Sequence, residues 1–330
     1  YTGPAGVIEP IKLIGKFYPE KEDNNIDYSI NLTNYNIKTL SPFVKDFLDI
    51  LDGKATGNLK IQGSLKDPKV SGDIQFIRTV LHVHYLNSIF SFADKFHITN
   101  NRIYTDNLTL LDQKGNRSSV RMNIAHNKFK DFKFDIQMNT MGDFQFMNTT
   151  SKDNNLFYGT VIADGRVLIT GDLDEITMSV NAKTGKGTSF SIPIDESGYA
   201  HENKFITFVS QHDIMQKEQK NIADEQNEMN FKMNLDLQVT PDAEVQIIFD
   251  PTVGDIMRGK GEGDLKIEFD MSGDLRMFGD LNILGGEYLF TLENVINKRF
   301  YIASGGSIKW KGDPYNANID LTTYYPIRTG

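Results

Sequence analysis

His82-Val-His84 places two imidazoles two residues apart, the spacing that puts both on one face of a strand, where they could share a metal ion. Leu81, Val83 and Tyr85 form the apolar set there, so both imidazoles are expected to point to solvent. With no cysteine and no third convergent ligand, the pair does not read as a metal centre. Gly259-Lys-Gly-Glu-Gly263 resembles a phosphate-binding loop only in its glycines: the strand before it and the helix after it are missing, and Glu262 would repel phosphate, so a turn is expected. His201-Glu202 lacks the second histidine of a zinc-protease helix, and the chain has no Gly-x-Ser-x-Gly elbow. The acidic segment Gly171-Asp-Leu-Asp-Glu175 lacks the oxygen spacing of a calcium loop and reads as a solvated hairpin tip. No catalytic constellation emerges, so the expectation is a protein that is not an enzyme and needs neither metal nor cofactor.

The 330 residues carry 35 Lys and Arg against 44 Asp and Glu, a net charge of −9. Nucleic acid is not an expected partner, since a binder needs clustered cations to neutralise phosphates. Zero cysteines excludes a disulfide framework. Hydrophobic residues and glycine together make up about 47% of the chain, the range of folded proteins. No run approaches the ~18 apolar residues of a membrane helix. The start, Tyr1-Thr-Gly-Pro-Ala-Gly, has no initiator Met, and the end stops just after the strand-like Tyr324-Tyr-Pro-Ile, so the sequence reads as a piece of a longer protein.

The elements that position these residues follow from period two. Met229 to Val239 alternates without a break, with Asn230, Lys232, Asn234, Asp236 and Gln238 on the polar face. The same alternation recurs at Leu59/Ile61, Val120/Met122/Ile124, Phe132 to Met138, Val167/Ile169, Ile176 to Val180, Val245 to Phe249, Leu265 to Met271 and Ile308/Trp310. Gly57–Gly63, Gly165–Gly171 and Gly263–Gly273 each begin a hairpin with a return strand. A capping helix is expected over 41–52, started by Ser41-Pro42, carried by Phe43, Val44, Phe47, Leu48 and Leu51, and ended by Gly53. Residues 211–228 lack alternation and read as a polar, mobile excursion. About 20 strands at ~4.8 Å spacing would make a sheet ~100 Å long with one short helix to cover it. Such a sheet covers itself as a sandwich, a closed barrel, or a trough with an apolar interior. The expectation is one continuous all-β segment over residues 1–330.

Asn154-Asn-Leu-Phe-Tyr-Gly159, Gly115-Asn-Arg, Ile124-Ala-His-Asn-Lys-Phe129, Val239 to Pro251, Gly285-Gly-Glu-Tyr-Leu-Phe-Thr-Leu-Glu-Asn-Val-Ile-Asn297 and Gly305-Gly-Ser-Ile-Lys-Trp-Lys-Gly-Asp-Pro-Tyr315 resemble the C-terminal region of the TamB family, in its Bacteroidetes-type form. The resemblance covers most of the chain from about Leu40 onward. It implies an AsmA-like bridge protein: an elongated antiparallel sheet curled lengthwise into an open hydrophobic trough, anchored in the inner membrane by a helix outside this sequence and crossing the periplasm of a Gram-negative bacterium. It further implies phospholipid movement toward the outer membrane and a BamA/TamA-type barrel as partner.

On that reading, phospholipid acyl chains lie on Leu59, Ile61, Phe134, Ile136, Ile169, Phe231, Met233, Leu235, Leu237, Ile267 and Phe269. The alternative is a scaffold that assists outer-membrane protein assembly or secretion by β-augmentation, through an edge near Tyr315, Ile319 and Leu321. An outer-membrane barrel shares the alternation but calls for aromatic girdles at the strand ends and no helix within the run.

Overall fold

A computed structural model of the chain describes residues 9–45, 48–153, 157–193, 230–250, 254–270, 274–292 and 296–326. The segment 211–228, expected as a polar excursion, lies outside the described residues.

The described residues are all-β: twenty-one strands in one sheet. Strands β1 (Ile11–Phe17), β2 (Ile26–Asn36), β3 (Leu48–Gly63) and β4 (Pro68–Val83) follow one another as antiparallel neighbours. β5 (Ser88–Phe92) and β6 (Lys95–Thr99) lie along β4 and face β7 (Arg102–Leu111), which pairs with β8 (Arg117–Asn127). β9 (Lys130–Thr140) joins β8 to β11 (Tyr158–Asp172), and β10 (Phe144–Thr149) pairs with the other half of β11. β12 (Glu175–Thr184) and β13 (Ser189–Pro193) share the far side of β11. β14 (Asn230–Val239) and β15 (Glu244–Asp250) join these two in parallel, and both then pair with β16 (Asp255–Asp270). β17 (Leu275–Leu292) follows, then β18 (Ile296–Ile302) with β19 (Gly306–Gly312), and finally β20 (Asn318–Asp320) with β21 (Thr323–Tyr324).

Six ranks of the sheet are thus each shared by two short strands, and the strands occupy fifteen ranks. At ~4.8 Å per rank the sheet is about 67 Å along, shorter than the length expected from the strand count.

The sheet curls. Asp67 at the β3–β4 turn and Lys128 at the β8–β9 turn sit four ranks apart, yet their side chains form an ion pair at 3.0 Å. At the opposite strand ends, the Asn87 side-chain amide donates to Asp153 at 3.3 Å, again across four ranks. A flat sheet would separate such turns by about 19 Å. Between these links the Phe90 and Phe144 rings stack with centroids 5.7 Å apart across the ends of the shorter β7–β8 hairpin. Both rings lie on the apolar face, so that is the face the sheet bends toward.

The expected helix over 41–52 is corrected to one turn, Ser41–Val44, preceded by a 3-10 turn at Ile37–Leu40. From Leu48 onward the chain is already β3, where Leu48 and Leu51 face Val83 and Leu81 of β4. A ten-residue helix is marginal in water, whereas these leucines gain strand partners along a sixteen-residue strand. Gly259–Gly263, expected as a turn, lies inside β16, where a register shift between Lys260 and Gly261 absorbs one extra residue of β17.

One hairpin tip is held by a buried carboxylate. Asp112, between β7 and β8, accepts from the backbone N–H groups of Lys114 and Asn116 and from the Asn116 amide, each at 2.8 Å, and from Gln145 N–H at 2.9 Å. Burial alone would raise its pKa, but the bonds from Gln145, Asn116 and Lys114 together hold the carboxyl below its ordinary 3.8. A lowered folded-state value contributes stability that is full above the unfolded value and lost as pH falls through the folded one. The urea midpoint should therefore fall below about pH 4, and Asp112→Asn should flatten that part of the profile.

Candidate functional site

Directly paired residues share a face, so register lines read across the sheet show what each face presents. One line runs Leu13, Ile30, Leu59, Gly72, Ile98, Ile103, Ile124, Phe134, Gly171, Ile176 and Phe231, from β1 to β14. All eleven positions are apolar or glycine. The adjacent line on the opposite face runs Lys12, Asn31, Asn58, Asp73, His97, Tyr104, Asn123, Asp135, Thr170, Thr177, Lys232 and Asp270, with no aliphatic residue in it. One residue of register slip in any hairpin would break both lines, which is why the alternation specifies the pairing so strongly.

Two more apolar lines run beside the first. Met122, Ile136, Ile169, Met178, Met233, Phe269 and Leu275 form one, and Val120, Met138, Val167, Val180, Leu235, Ile267 and Met277 the other. Coverage differs among them. None of the nine apolar side chains in the first line is buried, and Leu13 is 60% exposed. In the third line Val120, Val167, Ile267 and Met277 are buried.

The last ranks pack against themselves. Ile192, Val239, Ile247, Leu265, Ile267, Met277, Leu281, Ile283, Ile302, Ile308 and Trp310 belong to one core, with Leu235, Leu237 and Leu321 against it. The cavity left among Val245, Ile247, Met257, Leu281, Ile308 and Trp310 is about 20 Å³, room for one water and not for an acyl chain.

The eleven residues named from sequence therefore divide. Leu59, Ile61, Phe134, Ile136, Ile169, Phe231 and Met233 are half-buried on the apolar face outside that core. Leu235 and Leu237 are partly covered by it, and Ile267 and Phe269 are only 7% and 6% exposed. At the far edge Ile319 stands exposed in β20, Leu321 turns inward onto the core, and Tyr315 lies in a 3-10 turn, Pro314–Asn316. Ile98, which continues the first line, was missed from sequence because β6 is only five residues and its alternation too short to stand out.

Asp49 explains the histidine pair. Its two carboxylate oxygens each lie 2.9 Å from an Nδ1, one of His82 and one of His84. Asp49 falls in the segment expected as helix, so the partner was not legible from sequence. Among the described residues no cluster of three His, Cys, Asp or Glu is arranged to hold a metal ion. No helix among them is long and apolar enough to cross a membrane.

A family model described as the TamB C-terminal domain matches residues 105–329. No curated protein and no solved structure matches the chain.

Proposed function

We propose, because the chain belongs to the TamB C-terminal domain family, that its curled sheet is an open trough whose apolar face conducts phospholipids toward the outer membrane. The family has a role in outer-membrane assembly or lipid transport, and is periplasmic and envelope-associated. The observation that carries the finer reading is the first register line: eleven consecutive apolar or glycine positions, about 48 Å long at ~4.8 Å per rank, in which none of the nine apolar side chains is buried by the described residues.

No bond is made or broken in this reading. An acyl chain gains about 0.8 kcal/mol for each CH2 it removes from water. Movement requires that this gain be matched at the next position, so that no rank becomes a trap. Successive Ile, Leu and Phe side chains offer near-equal contacts, while the polar headgroup stays at the open rim. An inner-membrane anchor outside this sequence would fix one end of the path.

A photo-crosslinking side chain at Phe134 should capture phospholipid. Ile136→Asp should reduce the lipid recovered by about tenfold or more, since a carboxylate in an acyl environment costs about 2.5–3.5 kcal/mol. Crosslinks to protein alone would sink the idea.

The scaffold reading has its own support. Among the described residues β1 pairs only with β2, all seven of its residues are exposed, and β20 and β21 leave a second open edge. Either edge could add a strand from a BamA/TamA-type barrel by β-augmentation. Pairing at an edge would tolerate Ile136→Asp, which separates the two readings.

A further inference from the structure

The apolar face ends, on the last ranks, in aromatic side chains. A register line runs Ile192, Ile247, Met257, Tyr288, Phe300. Around Tyr288 the rings of Phe249, Phe290 and Phe300 lie 5.9, 6.1 and 6.4 Å away, and Phe300 meets Tyr325 at 5.9 Å. Lys298 is paired opposite Phe290, and its Nζ sits 5.6 Å over the Tyr325 ring.

The polar face of the same strands is aromatic too. Tyr301 stacks on Tyr324 at 5.7 Å. Tyr301, Tyr324 and Tyr325 are 38%, 56% and 50% exposed, three of the six exposed Phe and Tyr residues among those described. Arg258 and Arg299 both pair with Glu287 there, and Lys298 adds a further cation.

A protein-binding patch or a groove lining needs aromatic residues on one face of a sheet. Tyrosines on both faces, with Phe on the apolar side and Lys and Arg beside them, match the headgroup level of a bilayer, where amphipathic rings and snorkelling cations are both satisfied. We infer that the β17–β18–β21 end seats in the headgroup layer of a phospholipid bilayer, with Tyr301, Tyr324 and Tyr325 at the interface and Lys298 on an anionic headgroup. The seat stands independently of the trough reading.

The test is co-flotation of the 330-residue chain with vesicles of phosphatidylcholine, alone or mixed with phosphatidylglycerol. The wild type should float with both, and better with the mixture. Replacing Tyr301, Tyr324 and Tyr325 together by Ser should weaken binding about tenfold or more on both. Lys298→Glu should weaken it about fivefold on the anionic vesicles alone. If the triple variant does not fold, Tyr324→Trp serves instead: its emission should shift to the blue on adding vesicles, against the buried Trp310 as a constant background.

Ile136→Asp should float as the wild type does, so lipid capture that survives this substitution would count against the trough and not against the seat. A wild type that stays with the soluble fraction would overturn the proposal. So would tyrosine variants that float unchanged, or that lose a dimer seen by light scattering instead of vesicle binding.

Discussion

Trp310→Ala is expected to lower the unfolding free energy by about 3–5 kcal/mol. The indole is 5% exposed and ends a register line through Ala182, Leu237, Leu265 and Gly279. Its neighbours are already close-packed, with about 20 Å³ of space among them, and they belong to strands pinned on both sides, so they can relax little into the void. The measurement is a urea transition followed by far-UV circular dichroism, because the variant loses the chain's single tryptophan. Ile319→Ala, on the open edge with its side chain 43% exposed, is the control and should stay within about 0.5 kcal/mol.

Gly279→Ala should cost about 2–4 kcal/mol, from two sources that act together. The backbone there has φ +120°, and a Cβ would lie 2.1 Å from the Asp264 carbonyl oxygen of the adjacent strand, which cannot move without breaking the β16–β17 ladder. Gly259→Ala is the comparison: its φ is ordinary, and a Cβ would meet Gly285 O at 3.0 Å, so about 1 kcal/mol or less is expected. Thermal melts of both variants read the difference directly. Gly279 is also the register partner of Trp310, the arrangement in which an aromatic ring covers the gap beside a strand glycine. The double variant should therefore depart from the sum of the two single costs.

The all-β class and the face of each strand were legible because the alternation around Phe134, Ile169 and Met233 is strict enough to tolerate no other register. The three glycine-punctuated hairpins lie where expected, in β3–β4, β11–β12 and β16–β17. Three things were not legible. The helix expected at 41–52 failed after one turn: Leu48 and Leu51, three apart, fit the helical period, and they face Val83 and Leu81 in a strand only through the register shift between Leu48 and Ile50. The sharing of ranks by short strands was hidden too, because a bulge and a turn look alike in sequence: Gly259–Gly263 reads as a turn yet lies within β16. Burial was the third. Period two assigns Ile267 and Ile136 to the same face, but only the closing of the last ranks on Trp310 decides that the first is interior and the second accessible.

The ranked pairing has a consequence for cooperativity. Among the described residues the backbone ladders of each rank join only the ranks beside it, as in a one-dimensional repeat array, where stability is largely a sum of local terms and nearest-neighbour couplings. The β1 end, with every residue exposed, has the weakest coupling, and the Trp310 end the strongest. Unfolding should therefore travel as a front from β1 inward, halting where the core begins, and not sweep the molecule in a single step. A chain built this way can be lengthened or shortened by whole ranks over evolutionary time without redesigning the rest, so that its reach becomes a matter of counting.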